Sequence, residues 1–146
     1  MSPRVASLLP AATEIVCAVG AQADLVGVSH ECDFPEGVRR LPALTRARLH
    51  AAGTSSQIDR EVRSVLQDAL AVYEIELARL QAARPDVIVT QDLCDVCAVS
   101  FQDVCAATAT LVQQPTRIVS LHPTRLDEIT APSSSTPAGY LDLVFN

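Results

Sequence analysis

Side chains that can bind metal ions or exchange protons are concentrated in three short segments of this sequence. Each segment directly follows an apolar run with the length and composition of a buried β-strand, at 25–29, 87–90 and 117–121. In chain order, these side chains are His30, Glu31, Cys32, Asp33, Asp92, Cys94, Asp95, Cys97 and His122. Because the carboxyl ends of parallel strands lie along one edge of a sheet, we expect the three segments to meet at that edge.

The imidazole and thiol groups of this set predict a site for zinc or a similar divalent metal. Zinc is commonly held by four such ligands in a tetrahedron, and Cys94 and Cys97 have the spacing at which one turn presents two sulfurs to one ion. The expected metal ligands are His30, Cys32, Cys94, Cys97 and His122. The expected roles of the carboxylates of Asp33, Asp92 and Asp95 are to orient a histidine or to balance charge.

Other interpretations of the same residues stay open. Cys94 and Cys97 also fit a cytosolic dithiol redox protein, because a helix N-terminus lowers a thiol pKa. The intervening Asp95 opposes thiolate formation, so we rank this chemistry below metal binding. The loop thiols can equally be inert. His122 can form a hydrogen bond with a neighbouring backbone group, and the acidic residues can cap a turn or be solvated. We expect Cys17 and Cys105, on apolar helix faces, to be core residues.

The elements that position these residues alternate between strands and helices. Strands are predicted at 4–9, 25–29, 87–90 and 117–121, with an extended piece at 70–75. Helices are predicted at 14–19 with Thr13 as cap and Gly20 as stop, at 57–68, at 76–83, and at 100–112 with Ser100 as cap. Residues 43–54 have no clear period. This order predicts an α/β fold, a Rossmann-like lobe with a four-stranded, mainly parallel sheet flanked by helices.

Composition excludes several classes of protein. The chain has 146 residues, of which 49% are hydrophobic, and a formal net charge of −6. This acidic balance argues against nucleic-acid binding, and no apolar run reaches the roughly 18 residues of a membrane span. The sequence has no GxSxG, P-loop or GxGxxG motif, and we expect it not to be an enzyme. The first residues do not form a signal peptide, so the expected localisation is cytoplasmic.

Several segments resemble the vitamin B12 and iron-siderophore binding proteins of ABC importers. They are RVASLLPAATE at 4–14, LVGVS at 25–29 followed by CDFP at 32–35, and RPDVIV at 84–89. Within that family the chain is similar to a branch named cobalamin-binding protein, which carries HECD and QDLCDVCAVS, here at 30–33 and 91–100. The resemblance runs from about residue 4 to 130.

The resemblance implies two α/β lobes joined by a long helix, with ligand held between them. Residues 1–130 then correspond to the N-terminal lobe, 131–146 form an irregular tail, and the second lobe is missing. The implied function is non-catalytic binding of cobalamin or another metal chelate, with His30 or His122 approaching the metal. The candidate ligand contacts are Pro10, Thr13, Glu31, Asp33, Asp92 and Asp95.

The resemblance also bears on partners and location. Family members are often periplasmic or lipid-anchored and dock on an ABC permease, but the docking glutamate corresponds to Ala78 here. An isolated lobe exposes an apolar face, from which we expect homo-oligomers. A lobe with no function of its own is the remaining alternative.

Overall fold

The main sheet of the protein is parallel and has four strands in the residues that the structure describes. This computed structural model describes residues 2–48, 54–60, 73–91, 99–111 and 115–121. Its strands are β1 (Val5–Ser7), β2 (Leu25–Gly27), β3 (Thr45–Ala47), β4 (Tyr73–Ile75), β5 (Val87–Gln91) and β6 (Arg117–Leu121). The sheet has the order β2-β1-β5-β6, and every pairing in it is parallel. The predicted α/β fold with a four-stranded parallel sheet is therefore confirmed.

The two central strands, β1 and β5, are buried because helices cover both faces of the sheet. The β-branched run Val87, Ile88 and Val89 alternates between the two faces. The core on one face is formed mainly by Val5, Leu9, Val16, Leu25, Val38, Val87 and Val89. The core on the other face is formed mainly by Leu8, Leu44, Leu80, Ile88, Val99 and Val104.

The helix after β1 starts earlier than predicted. α1 spans Pro10–Ala18, with Leu9 as its N-cap and Pro10 at the first helical position. Proline suits that position because its φ angle is already helical and the missing N–H would have no partner there. Thr13 is therefore inside the helix and buried, and its predicted role as the cap was wrong. Gly20, with a φ of 86°, follows the helix in the left-handed conformation expected of a stop.

Two further helices flank the sheet. They are α2 (Leu77–Ala83) and α3 (Phe101–Ala109). The predicted cap of α3 is confirmed, because Ser100 Oγ accepts a 3.1 Å hydrogen bond from the backbone N–H of Asp103. Cys17 packs partly against the core as predicted, but Cys105 is exposed. That second prediction was wrong because α3 buries the face of Val104 and Ala107, and Cys105 lies beside this face.

A short antiparallel pair, β3 and β4, packs beside the main sheet. Tyr73–Ile75 confirms the extended piece predicted there, whereas β3 lies in the region where no pattern was found. Arg46 on β3 faces Glu74 on β4 and forms an ion pair with it. Residues 55–60 are helical, near the predicted start at Gln57, and the remainder of that predicted helix lies outside the described residues. None of the helices in the described segments is long and apolar enough to cross a membrane.

Candidate functional site

The strands that precede the candidate ligands, β2, β5 and β6, end at one edge of the sheet. β1, β2, β5 and β6 are parallel, and the last residues of β5 and β6, Gln91 and Leu121, pair with each other. The chain after β2 continues through Val28, which forms a parallel bridge with Ala43, and then reaches His30. The topological basis of the predicted site is therefore present. Five of its predicted residues, Asp92, Cys94, Asp95, Cys97 and His122, lie outside the described residues, and their contribution stays a prediction.

The side chain of His30, one of the described metal-binding candidates, is held by contacts with two residues. Its Nδ1 lies 2.8 Å from Thr45 Oγ1, and its backbone N–H donates to the same oxygen over 3.1 Å. The Tyr73 ring meets the imidazole edge to face, with centroids 4.7 Å apart and an interplanar angle of 86°. Thr45 on β3 and Tyr73 on β4 therefore fix the orientation of the ring from the small antiparallel pair.

The other ring nitrogen, His30 Nε2, makes no hydrogen bond although it is buried. It lies 3.3 Å from Glu31 Oε1, close enough for an ion pair if the ring is charged, but without hydrogen-bond geometry. The Glu31 side chain is 51% exposed. The arrangement places one nitrogen donor atom next to a half-exposed carboxylate.

Cys32 belongs to a different network from His30. Its Sγ lies 3.1 Å from Thr13 Oγ1, which donates to Ser7 Oγ over 2.8 Å. The Ser7 hydroxyl in turn donates to the carbonyl of Leu9 over 3.1 Å. Thr13 Oγ1 also lies 3.3 Å from the carbonyl of Leu9, so either atom of the Thr13–Cys32 pair can be the donor.

The burial of Cys32 favours a neutral thiol. Burial raises the pKa of the Cys32 thiol, and the hydrogen bond with Thr13 only partly offsets that effect. A metal ligand must be a thiolate, so ligation by Cys32 would require loss of this proton and rearrangement of the network. Burial also raises the pKa of the Cys17 thiol, with a smaller contribution from Cys32.

The remaining candidates in the described residues lie near the surface. Asp33 is exposed, its carboxylate is 3.6 Å from the Arg39 guanidinium, and its carbonyl accepts a hydrogen bond from Arg39 Nε. Pro10 is partly exposed at the start of α1. Ala78, at the position of the family's docking glutamate, is exposed on α2, and the nearby Glu74 and Glu76 pair with Arg46.

No cluster of three or more histidine, cysteine or acidic side chains suited to a metal ion is found among the described residues. His30 and Cys32 have separate partners, Thr45 and Thr13 respectively. The predicted multi-ligand metal site therefore depends on residues outside the described segments. His30 Nε2 is a buried nitrogen donor without a hydrogen-bond partner in the described part of the chain.

The residues that hold His30 have no clear signal in the sequence. Thr45 lies on a strand of only three residues, which is too short to give a hydrophobic period. Ser29, whose Oγ accepts from Thr45 Oγ1 over 3.1 Å, was assigned only to the end of the β2 strand. The opposite charges of Arg46 and Glu74, which face each other across β3 and β4, were the available signal for this pairing.

Comparison with known proteins gives a structural neighbour and no related sequence. No protein-family profile matches this chain, and no curated protein matches it either. The fold is similar to that of the periplasmic heme-binding protein RhuT from Roseiflexus sp. RS-1 in its apo form, with a TM-score of 0.51 and 19% identity. The match covers 82% of this chain and 34% of the neighbour, so the chain spans about a third of that protein's length. At this identity the similarity concerns the fold.

Proposed function

We propose that this chain is a non-catalytic binding protein that holds a metal chelate at the strand-end edge of its sheet. His30 is the residue that approaches the metal. The observation that carries the proposal is a buried imidazole nitrogen without a hydrogen bond, on a ring fixed by Thr45 and Tyr73 at that edge. An unprotonated imidazole nitrogen is the commonest protein ligand for transition metals.

A chelate fits the described residues better than a bare ion does. A structural zinc site needs about four protein ligands, and the described residues hold no cluster of three. A tetrapyrrole or corrinoid brings four donor atoms of its own and needs only an axial ligand from the protein. One well-oriented histidine is therefore sufficient for a chelate, whereas it would be a weak site for free zinc.

The similarity in fold supports the same class of ligand. The structural neighbour is named as a heme-binding protein, and heme is a metal chelate. The resemblance of the sequence segments to cobalamin-binding proteins gives a second ligand of the same chemical class. We propose this class for the present chain, with heme and cobalamin as the two members to test.

An exposed aromatic ring in the loop after β2 supports a flat ligand. Phe34 is 64% exposed, an unusual state for an aromatic ring, and it lies four residues after His30 in the same loop. Exposed aromatic rings often pack against planar ligands in binding sites. We propose that Phe34 contributes such a contact.

Titration of the purified chain with hemin and, separately, with cyanocobalamin tests the proposal. We expect a saturable change in the visible absorbance of at least one chelate, and its loss in His30→Ala. Cys105→Ala is the matched control, because this exposed thiol is a potential metal ligand on α3 and its removal should leave binding unchanged. Absence of saturable binding of both chelates, or equal binding by His30→Ala, would contradict the proposal.

A further inference from the structure

We infer that Thr45 is a positioning residue that sets the protonation pattern of His30, with the proton on Nδ1 and the lone pair on Nε2. The inference deepens the proposed function, because Nε2 is the atom proposed to meet the metal. It concerns the state of the imidazole before any ligand arrives. It can therefore be tested on the unliganded chain.

The hydrogen bonds of Thr45 determine which atom donates. A threonine hydroxyl has one proton and two lone pairs. The proton is directed to Ser29 Oγ, 3.1 Å away, and one lone pair accepts the backbone N–H of His30. The second lone pair faces His30 Nδ1 at 2.8 Å. Since the hydroxyl proton is already used, Nδ1 must carry the proton and donate it to Thr45 Oγ1.

The consequence for Nε2 follows from the two forms of neutral imidazole. When Nδ1 is protonated, Nε2 holds an available lone pair. Histidines that ligate metals usually donate their other ring N–H to a fixed acceptor, which orients the ring and increases its basicity. Here the acceptor is the hydroxyl of Thr45, a residue that is only 2% exposed, so water competes little for this hydrogen bond.

Within the described segments, the surroundings of Nε2 contain no hydrogen bond that would hold a proton there. Nε2 has no hydrogen-bond donor or acceptor partner among the described residues. The Glu31 carboxylate, 3.3 Å away, is only an acceptor and by itself favours a proton on Nε2, but it lacks hydrogen-bond geometry toward that atom and is half exposed, whereas the contact of Nδ1 with Thr45 is buried. Tyr73 packs against the imidazole and limits its rotation. Thr45 therefore sets the position of the proton, and Tyr73 sets the orientation of the ring.

The experiment compares the full chain with Thr45→Val and Thr45→Ser variants. Long-range ¹H–¹⁵N spectra distinguish the protonated from the unprotonated ring nitrogen, and His30→Ala identifies the signals of His30. Spectra at about pH 8.5 keep ordinary histidines neutral. Valine retains the shape of threonine without the hydroxyl, whereas serine retains the hydroxyl. Circular dichroism checks that each variant is folded.

We expect an Nδ1–H tautomer in the original chain and in Thr45→Ser, and a shift toward Nε2–H in folded Thr45→Val. An Nε2–H tautomer in the original chain would overturn the inference, as would an unchanged tautomer in Thr45→Val. If Thr45→Val does not fold, the tautomer of the original chain and of Thr45→Ser still decides the matter.

A hemin titration of the same variants separates this inference from the proposed function. Thr45→Val should weaken binding by about ten-fold, in line with the loss of other groups that orient a ligating histidine. Thr45→Ser should bind within about two-fold of the original chain, an effect below ~0.5 kcal/mol. The Nδ1–H tautomer without any chelate binding would leave the positioning role intact and contradict the proposed function. Chelate binding by a chain whose His30 has the Nε2–H tautomer would support the proposed function and contradict the positioning role of Thr45.

Discussion

Thr13 and Cys32 are 19 positions apart in the sequence, yet Thr13 Oγ1 and Cys32 Sγ lie 3.1 Å from each other in the interior. The contact joins the first turns of α1 to the loop that follows β2. Ser7, at the end of β1, completes the network through a 2.8 Å hydrogen bond with Thr13. All three side chains are buried, so their polar atoms have no access to water and depend on one another.

Replacing Thr13 by valine should destabilise the fold. The substitution leaves Ser7 Oγ and Cys32 Sγ without their shared partner in a buried position. Leaving a buried polar group unpaired typically costs about 1–3 kcal/mol. Urea unfolding, followed by circular dichroism, measures the change in the free energy of unfolding. Thr13→Ser is the control and should recover most of the loss, and a valine variant as stable as the original chain would show that the network contributes little.

The Cys32 thiol should make stability sensitive to alkaline pH. Burial raises the pKa of this thiol above that of an exposed cysteine, so the folded state retains the proton at a pH where the unfolded state releases it. The contribution is fully present below the unfolded pKa and is lost as pH rises through the folded pKa. We therefore expect the free energy of unfolding to fall above about pH 9.

Urea unfolding between pH 7 and 10.5, in the presence of a reducing agent, measures this dependence. The sequence contains no lysine, which removes one common source of alkaline titration. Cys32→Ser retains a donor for Thr13 but does not titrate in this range, so its stability should fall less steeply with pH. An identical pH dependence in both proteins would exclude Cys32 as the source.

The sheet was more predictable from the sequence than the candidate site was. β5 was predictable because Val87, Ile88 and Val89 form a continuous β-branched run, which is typical of a central parallel strand. The end of β2, β5 and β6 at one edge of the sheet followed from the parallel topology alone. Such features depend on local pattern and on handedness rules, which a single sequence contains.

The support of His30 was not predictable, because it depends on contacts between distant residues. Thr45 is 15 positions from His30. It is a buried polar residue that makes hydrogen bonds, so it does not belong to a periodic pattern of apolar residues. The prediction for Cys105 was wrong for a related reason, because an apolar residue on a short helix can lie beside the buried face. Ala107 occupies that face, and small residues give little signal in a hydrophobic pattern.

Gly27, the last residue of β2, should not tolerate a side chain while Leu44 is present. A Cβ atom at this position would lie 2.6 Å from Cγ and Cδ1 of Leu44, which is fully buried. Overpacking of this kind typically costs about 1–3 kcal/mol. Gly27→Ala should therefore reduce the free energy of unfolding, and the shift of β2 should also displace the loop that carries His30.

A double-mutant cycle with Leu44→Ala tests the cause. Leu44→Ala alone should cost about 2–5 kcal/mol through the cavity that it creates. In the double variant the new methyl group occupies part of that cavity, so the combined loss should be smaller than the sum by about 1 kcal/mol or more. Additive losses would show that the effect of Gly27→Ala arises elsewhere, for instance in backbone conformation.

Glu31 should have opposite effects on a bare zinc ion and on a metal chelate, and this contrast distinguishes the two ligand classes. Two atoms that bind one zinc ion at about 2.1 Å in a tetrahedron lie about 3.4 Å apart. The 3.3 Å between His30 Nε2 and Glu31 Oε1 fits that separation, so zinc would use both atoms. A chelate needs only Nε2 and must displace the carboxylate that covers it.

Glu31→Gln keeps the size of the side chain and removes its charge. We expect it to weaken zinc binding, measured by calorimetry, by about ten-fold or more because a charged ligand is lost. Hemin carries propionates that the carboxylate repels, so hemin affinity should rise by up to about five-fold, the effect of a partly exposed charge. Asp33→Asn, which removes another acidic charge from the same loop, is the control for a general electrostatic effect. Weaker binding of both ligands by Glu31→Gln would mean that Glu31 itself contacts the chelate, and equal gains in hemin affinity from both variants would mean that net charge alone is responsible.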